Sequence, residues 1–129
     1  MDTDKNDGSG RLRNGPYEER FTNGEASVRG QHADGAKTGR WQYFYNNGQL
    51  QAVGPYEDDI IAGEWKWYRK DGLLMQTGEF AEGEKNGVWV RYHKTGGIMD
   101  RGEFVRGRRV GRWEYFDESG ALTRTKDFG

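Results

Sequence analysis

His32 and His93 are the only imidazoles in a chain of 129 residues that contains no cysteine. Without thiolates, a zinc site would have to be completed by carboxylates. His93 stands at a place that other copies of the same pattern fill with Tyr45, Arg69 and Asp117, which reads as a solvated position. His32 stands where other copies carry Phe or Tyr and reads as a packing residue. The acidic run Glu57-Asp58-Asp59 offers the oxygen ligands that calcium prefers, but its usual loop needs more of them at alternating places. We read that run as a solvated turn. No nucleophile, base and acid form a set, so the expectation is a protein that is not an enzyme and carries no metal or cofactor.

Charge is the most function-like feature. Arg106, Arg108, Arg109 and Arg112, with Arg91, Lys94 and Arg101, face only two acidic residues between positions 87 and 112, giving +5 in a chain of net charge -1. Such a band could steer an acidic protein surface, a phosphate or an anionic lipid, or could simply solubilise a turn. Nucleic acid is disfavoured at net -1, although rings beside positive charge are how single strands are held.

The elements that must position these residues come from a repeat of 24 residues. Gly15, Gly39, Gly63, Gly87 and Gly111 recur in one frame, each followed two places on by Tyr17, Trp41, Trp65, Trp89 or Trp113. A second aromatic follows at Phe44, Tyr68, Tyr92 and Phe116, and a turn glycine at Gly24, Gly48, Gly72, Gly96 and Gly120. A fixed period implies units that pack mainly on their neighbours. Each unit reads as an aromatic-rich strand and a second strand joined by an Asn-Gly or Asp-Gly type of turn, hence a β-hairpin. Glycines this frequent would each cost roughly 1 kcal/mol in a helix. The fold class expected is all-β, an elongated, twisted, single-layer antiparallel sheet of successive hairpins.

Residues 1–14 read as a disordered tail and residues 15–129 as one repeat domain. It has a degenerate cap (15–38), repeats at 39–62, 63–86 and 87–110, and a truncated copy at 111–129.

Hairpin register has two solutions. A two-residue turn pairs Tyr45 with Leu50 and sets Trp41 against Gly54. A turn with Gly48 as a left-handed bulge residue pairs Phe44 with Leu50 and sets Trp41 against Val53. The second is favoured because it joins the recurring apolar pairs Phe44/Leu50, Tyr68/Leu74, Tyr92/Ile98 and Phe116/Leu122. Gly54, Gly78 and Gly102 lie inside second strands and imply a close approach there, by a ring of the same or the next unit. Gly35, Gly83 and Gly107 mark turns needing positive φ, with Asp59 substituting in one copy.

Composition agrees with a thin sheet. Only 33% of residues are hydrophobic, but five Trp, seven Tyr and six Phe supply large buried areas. No apolar run has membrane-spanning length and the first residues lack a signal peptide's apolar core, so a cytoplasmic protein is expected.

At Phe80-x-x-Gly83-x-x-x-Gly87-x-Trp89 and Phe104-x-x-Gly107-x-x-x-Gly111-x-Trp113 the pattern resembles the MORN repeat, with weaker versions at Tyr56 and His32. It is most similar to the variant found in the bacterial YwqK-like antitoxin family. The resemblance covers residues 15–129. It implies a binding or scaffolding surface without catalysis, most concretely an antitoxin or immunity-type protein that sequesters a protein toxin. Alternatives are a structural adaptor or a homo-oligomer built through sheet ends, and less readily an anionic-lipid binder.

Invariant positions such as the four Trp should hold the fold, whereas variable ones are free to carry specificity. By that logic Tyr43, Trp67, Arg91 and Tyr115 form one row and Tyr45, Arg69, His93 and Asp117 a second, on the Trp side of the strands. We take Tyr43, Tyr45, Trp67, Arg69, Arg91 and Tyr115, with Arg106, Arg108 and Arg109, as the candidate partner surface.

Overall fold

A computed structural model describes Asn6 and residues 10–129. Eleven strands form one open antiparallel sheet: β1 (Gly15–Arg20), β2 (Ala26–Ala33), β3 (Ala36–Phe44), β4 (Leu50–Glu57), β5 (Ile60–Ile61), β6 (Gly63–Tyr68), β7 (Leu74–Ala81), β8 (Glu84–Tyr92), β9 (Ile98–Val105), β10 (Arg108–Phe116) and β11 (Leu122–Asp127). They follow one another in hairpin order, with the short β5 pairing only with β4. The described residues contain no helix.

Local turn chemistry sets the register. The Tyr45 N–H donates to Gln49 O at 2.8 Å and the Gly48 N–H to Tyr45 O at 3.0 Å, with Gly48 at φ 88°. Phe44 therefore faces Leu50, and the same pairing recurs at Tyr68/Leu74, Tyr92/Ile98 and Phe116/Leu122. A β-bulge follows at once. Pairing resumes with Tyr43 against Ala52, so Trp41 lies opposite Gly54 and not Val53. The expected register is corrected in that half. One extra residue turns the second strand over, keeping Leu50 with Phe44 while Ala52 and Gly54 join the face of Trp41.

Successive units are joined by two-residue turns in which both residues have positive φ: Asp34-Gly35, Asp58-Asp59, Glu82-Gly83 and Arg106-Gly107. This backbone matches the right-handed twist of flanking strands, which is why such turns close hairpins. Asp59, at φ 70°, takes the glycine's place as expected.

The second unit is irregular because of Pro55. At the corresponding places Gln31 pairs with Thr38, Glu79 with Asn86 and Glu103 with Val110. Pro55 has no N–H to donate. Only the Ala62 N–H to Pro55 O bond survives, at 3.1 Å, and the strand divides into β5 and β6.

The core is a line of rings on one face. Trp41, Trp65, Trp89 and Trp113 are all buried. Indoles alternate edge-on with other rings: His32, Trp41, Tyr56 and Trp65 are linked at 5.2–5.8 Å, and Trp67 bridges Trp65 to Phe80. Phe80, Trp89, Phe104, Trp113 and Phe128 continue the line at 5.2–6.1 Å. Edge-to-face packing suits the ring quadrupole. The indoles reach the backbone through glycine. A Cβ on Gly30, Gly54, Gly78 or Gly102 would lie 2.0–2.2 Å from an atom of Trp41, Trp65, Trp89 or Trp113 respectively. The close approach expected at Gly54, Gly78 and Gly102 is thus made by the next unit's Trp. At the fifth place of this row, opposite Trp113, stands Lys126.

Of the stretch read as a tail, residues 1–5 and 7–9 lie outside the described residues. Arg13 O accepts from the Gly35 N–H and Asn14 Oδ1 from the Asp34 N–H, both at 2.8 Å. These two residues are tied to the first inter-unit turn.

Candidate interaction surface

The two rows singled out by their variability separate in the structure. Tyr43 stacks beside Trp41 at 6.4 Å and lies 6.3 Å from Trp65, and its hydroxyl shares a 2.9 Å hydrogen bond with that of Tyr56. Burial, reinforced by that bond, pushes the Tyr43 phenol well above its ordinary value. Trp67 packs between Trp65 and Trp89 at 6.0 and 5.5 Å. Tyr115 is half-buried beneath the Arg124 guanidinium, 4.2 Å from its ring centre. Arg91 turns its guanidinium onto Asp100, which is 3% exposed, with Nε 3.1 and 3.0 Å from the two carboxylate oxygens. The Asp100 carboxylate, bonded to it, raises Arg91 further above its ordinary range. This first row shares the ring face.

Side chains of the second row are occupied between units. The Tyr45 hydroxyl donates to Tyr68 O, Arg69 Nη2 to Tyr92 O, and His93 Nε2 bonds Phe116 O, at 2.8, 2.8 and 2.9 Å. Each reaches 23 residues on, to the aromatic that precedes the next hairpin turn. His93 is accordingly half-buried and bonded, a correction to its reading as a solvated residue.

Asp117, the fourth member of this second row, bonds within its own turn. It accepts from the Ser119 N–H, the Ser119 hydroxyl and the Ala121 N–H, at 2.9, 2.6 and 3.1 Å. The Ser119 hydroxyl first, then the Ala121 N–H, hold its carboxyl below the ordinary 3.8. A depressed folded value contributes stability above the ordinary value, which is lost as pH falls through the lowered one. Thermal melts of Asp117→Asn should therefore fall below the parent at neutral pH, with the gap closing as pH drops below the ordinary Asp range. An equal gap at all pH values would contradict this.

The arginine band does not form a single patch. Arg106 occupies a turn at φ 50°, Arg108 and Arg109 begin β10 on opposite faces, and of these three only Arg109 covers rings, 4.9 Å from Trp113 and 5.5 Å from Phe128, while Arg101 lies over Phe116 on the other face. Equivalent cations were not singled out by sequence reasoning. Lys37 lies over Trp41 and Tyr56, and Lys85 over Trp89 and Phe104, at 4.8–5.2 Å. The signal was present: Lys37, Lys85 and Arg109 share one phase of the 24-residue period, with Ile61 in the intervening copy. Arg13 over Tyr17, in that same phase, with Lys126 over Phe128 and Arg124 over Tyr115, completes the set on this face. A shallow recess of about 150 Å³ lies among Lys85, Trp89, Arg91, Asp100, Phe104 and Arg109. The arrangement can present positive charge on a stiff ring-lined sheet, and the rings themselves are already engaged by their neighbours.

Residues 37–58, from β3 across its hairpin into the turn after β4, match the family model of the MORN repeat variant. A comparison with curated proteins gives no match. Such a repeat suggests a protein- or membrane-binding module. With the matched copy continued in one hairpin frame on both sides, the match supports a MORN-repeat protein.

Proposed function

We propose that the chain is a non-catalytic protein-binding repeat module, of the antitoxin or immunity type, that sequesters a protein partner. The observation that carries the binding reading is the ring face. Its indoles are consumed by the fold, while cations in register above them remain exposed. The antitoxin role itself rests on the resemblance of the repeat. A second reading, a self-associating scaffold, is favoured by β11, which is exposed along its whole length at the edge of the sheet. Lys126 and Arg124 on that edge work against strand addition, as edge charges do.

Pull-down from host lysate at low and high salt, with mass measured across concentration for the chain alone, tests these readings. One stoichiometric protein surviving high salt, with a mass for the chain alone that does not grow, is the expected result. A mass that grows with concentration and no retained partner would replace it with the scaffold.

A further inference from the structure

We infer that the ring face over β8–β11 docks an acidic polypeptide segment, deepening the protein-binding reading above and resting on it. The inference starts from how the folded sheet sorts charges that look mixed in sequence. On the ring face these strands carry Lys85, Arg91, Arg109, Arg124 and Lys126, all exposed. The cross-strand partners of four of them are rings: Phe80 for Lys85, Phe104 for Arg109, Tyr115 for Arg124 and Trp113 for Lys126. Only Arg91 faces a carboxylate, that of Asp100.

The opposite face of the same strands is balanced. Arg101 bonds Glu114 at 2.9 Å, and Arg112 stands across from Asp127. Glu103 lies on that face as well, since it alternates with Gly102 and Phe104. Positive charge therefore accumulates on one side of the sheet. A ring beneath a cation attracts it without neutralising it, so the outward side of each ammonium or guanidinium is left for an anion.

The chemistry favours carboxylates of a polypeptide over a membrane surface. Among the exposed large apolar side chains, Val88 and Leu122 belong to the opposite face, and Val105 lies beside the turn after β9. The cationic face thus lacks projecting apolar groups to enter a bilayer, which interfacial binding requires alongside charge. It offers flat rings and spaced cations, suited to an extended chain bearing Asp and Glu.

The test uses the full chain and a fluorescently labelled Glu-rich peptide, read by anisotropy at low and moderate salt, with anionic and neutral phospholipid vesicles as a parallel arm. Lys85→Gln with Arg109→Gln removes two charges on the ring face and keeps long side chains over the rings. Arg108→Gln with Arg112→Gln removes two from the neighbouring stretch on the other side. The first pair should weaken peptide binding roughly three- to tenfold at low salt, and the second should leave it within about twofold. Circular dichroism and melting of both variants check that the sheet persists. Equal weakening by both pairs, no weakening by either, or vesicle binding without peptide binding would overturn the inference. The protein-binding reading fails separately, if no partner is retained from lysate. A partner held equally well by the Lys85→Gln, Arg109→Gln variant would keep that reading and discard this face.

Discussion

Gly78→Val is expected to cost at least about 3 kcal/mol, at or beyond the upper end for overpacked cores. The reason is geometric. A Cβ on Gly78 would lie 2.0 Å from Cδ2 and 2.2 Å from Cε2 of Trp89. The ring cannot retreat, because it is 3% exposed, its Nε1–H donates to Glu79 O at 3.1 Å, and Phe80 and Phe104 hold it at 5.2 and 5.9 Å. Against a total stability of roughly 5–15 kcal/mol this is a large fraction. Gly87→Ala is the control. There the backbone sits at φ 77° with nothing within 4 Å of the added carbon, so only the left-handed penalty applies, about 1–2 kcal/mol. Denaturant melts of the two variants separate collision from strain. A Gly78→Val midpoint no lower than that of Gly87→Ala would refute the packing argument.

How far the residues alone reveal this architecture depends on what repeats. The 24-residue frame carried the hairpin order, the aromatic–aliphatic pairs and the strand glycines, because each is written four or five times and each copy needs the same local geometry. The bulge after Leu50 was missed. Both candidate registers assumed unbroken pairing from the turn, whereas one extra residue satisfies the Phe44/Leu50 pair and the Trp41/Gly54 pair together. Pro55 was legible and passed over. Its missing N–H is a sequence fact, yet its effect appears only once Ala62 is known to lie opposite.

The surface was harder to read. Neighbours in sequence such as Arg108 and Arg109 leave opposite faces of a strand, so a charge run says little about a patch. Lys85 and Lys126 were invisible as members of one because they stand on β8 and β11, with two strands between them. Variability between copies picked Tyr45 and Arg69, whose polar ends turn out to bond the next unit's backbone. A position can vary because several side chains reach the same carbonyl.

Loss of Trp65 should do more than destabilise, since its indole bridges the one inter-unit seam that a proline interrupts. Across this seam β4 pairs with β5 and β6 at four places, Ala52/Trp67, Val53/Lys66, Tyr56/Ile61 and Glu57/Ile60, against five between β2 and β3, β7 and β8, or β9 and β10. The Pro55 break removes the fifth, Pro55 with Ala62. Trp65, 2% exposed, compensates with Nε1–H bonds to both Pro55 O and Ala62 O, at 3.1 and 3.0 Å, and packs on Tyr56 at 5.3 Å. Removing a buried Trp costs about 3–5 kcal/mol. In a repeat array, where stability is close to a sum of unit and neighbour terms, a cost at one seam uncouples what lies on either side. Trp65→Ala should therefore unfold in two steps, the strands before Pro55 and those after it melting apart. Trp113→Ala, near the end, should loosen β10 and β11 and leave a single main transition. Equilibrium denaturation followed by far-ultraviolet circular dichroism and by fluorescence of the remaining Trp residues distinguishes the cases, because coincident curves mean one cooperative unit. Coincident curves for Trp65→Ala would mean that the backbone ladder, not the indole, carries coupling across the seam. Two separated curves would also locate the basic ring face on the later-strand unit, since Lys85, Arg91, Arg109, Arg124 and Lys126 all follow the break.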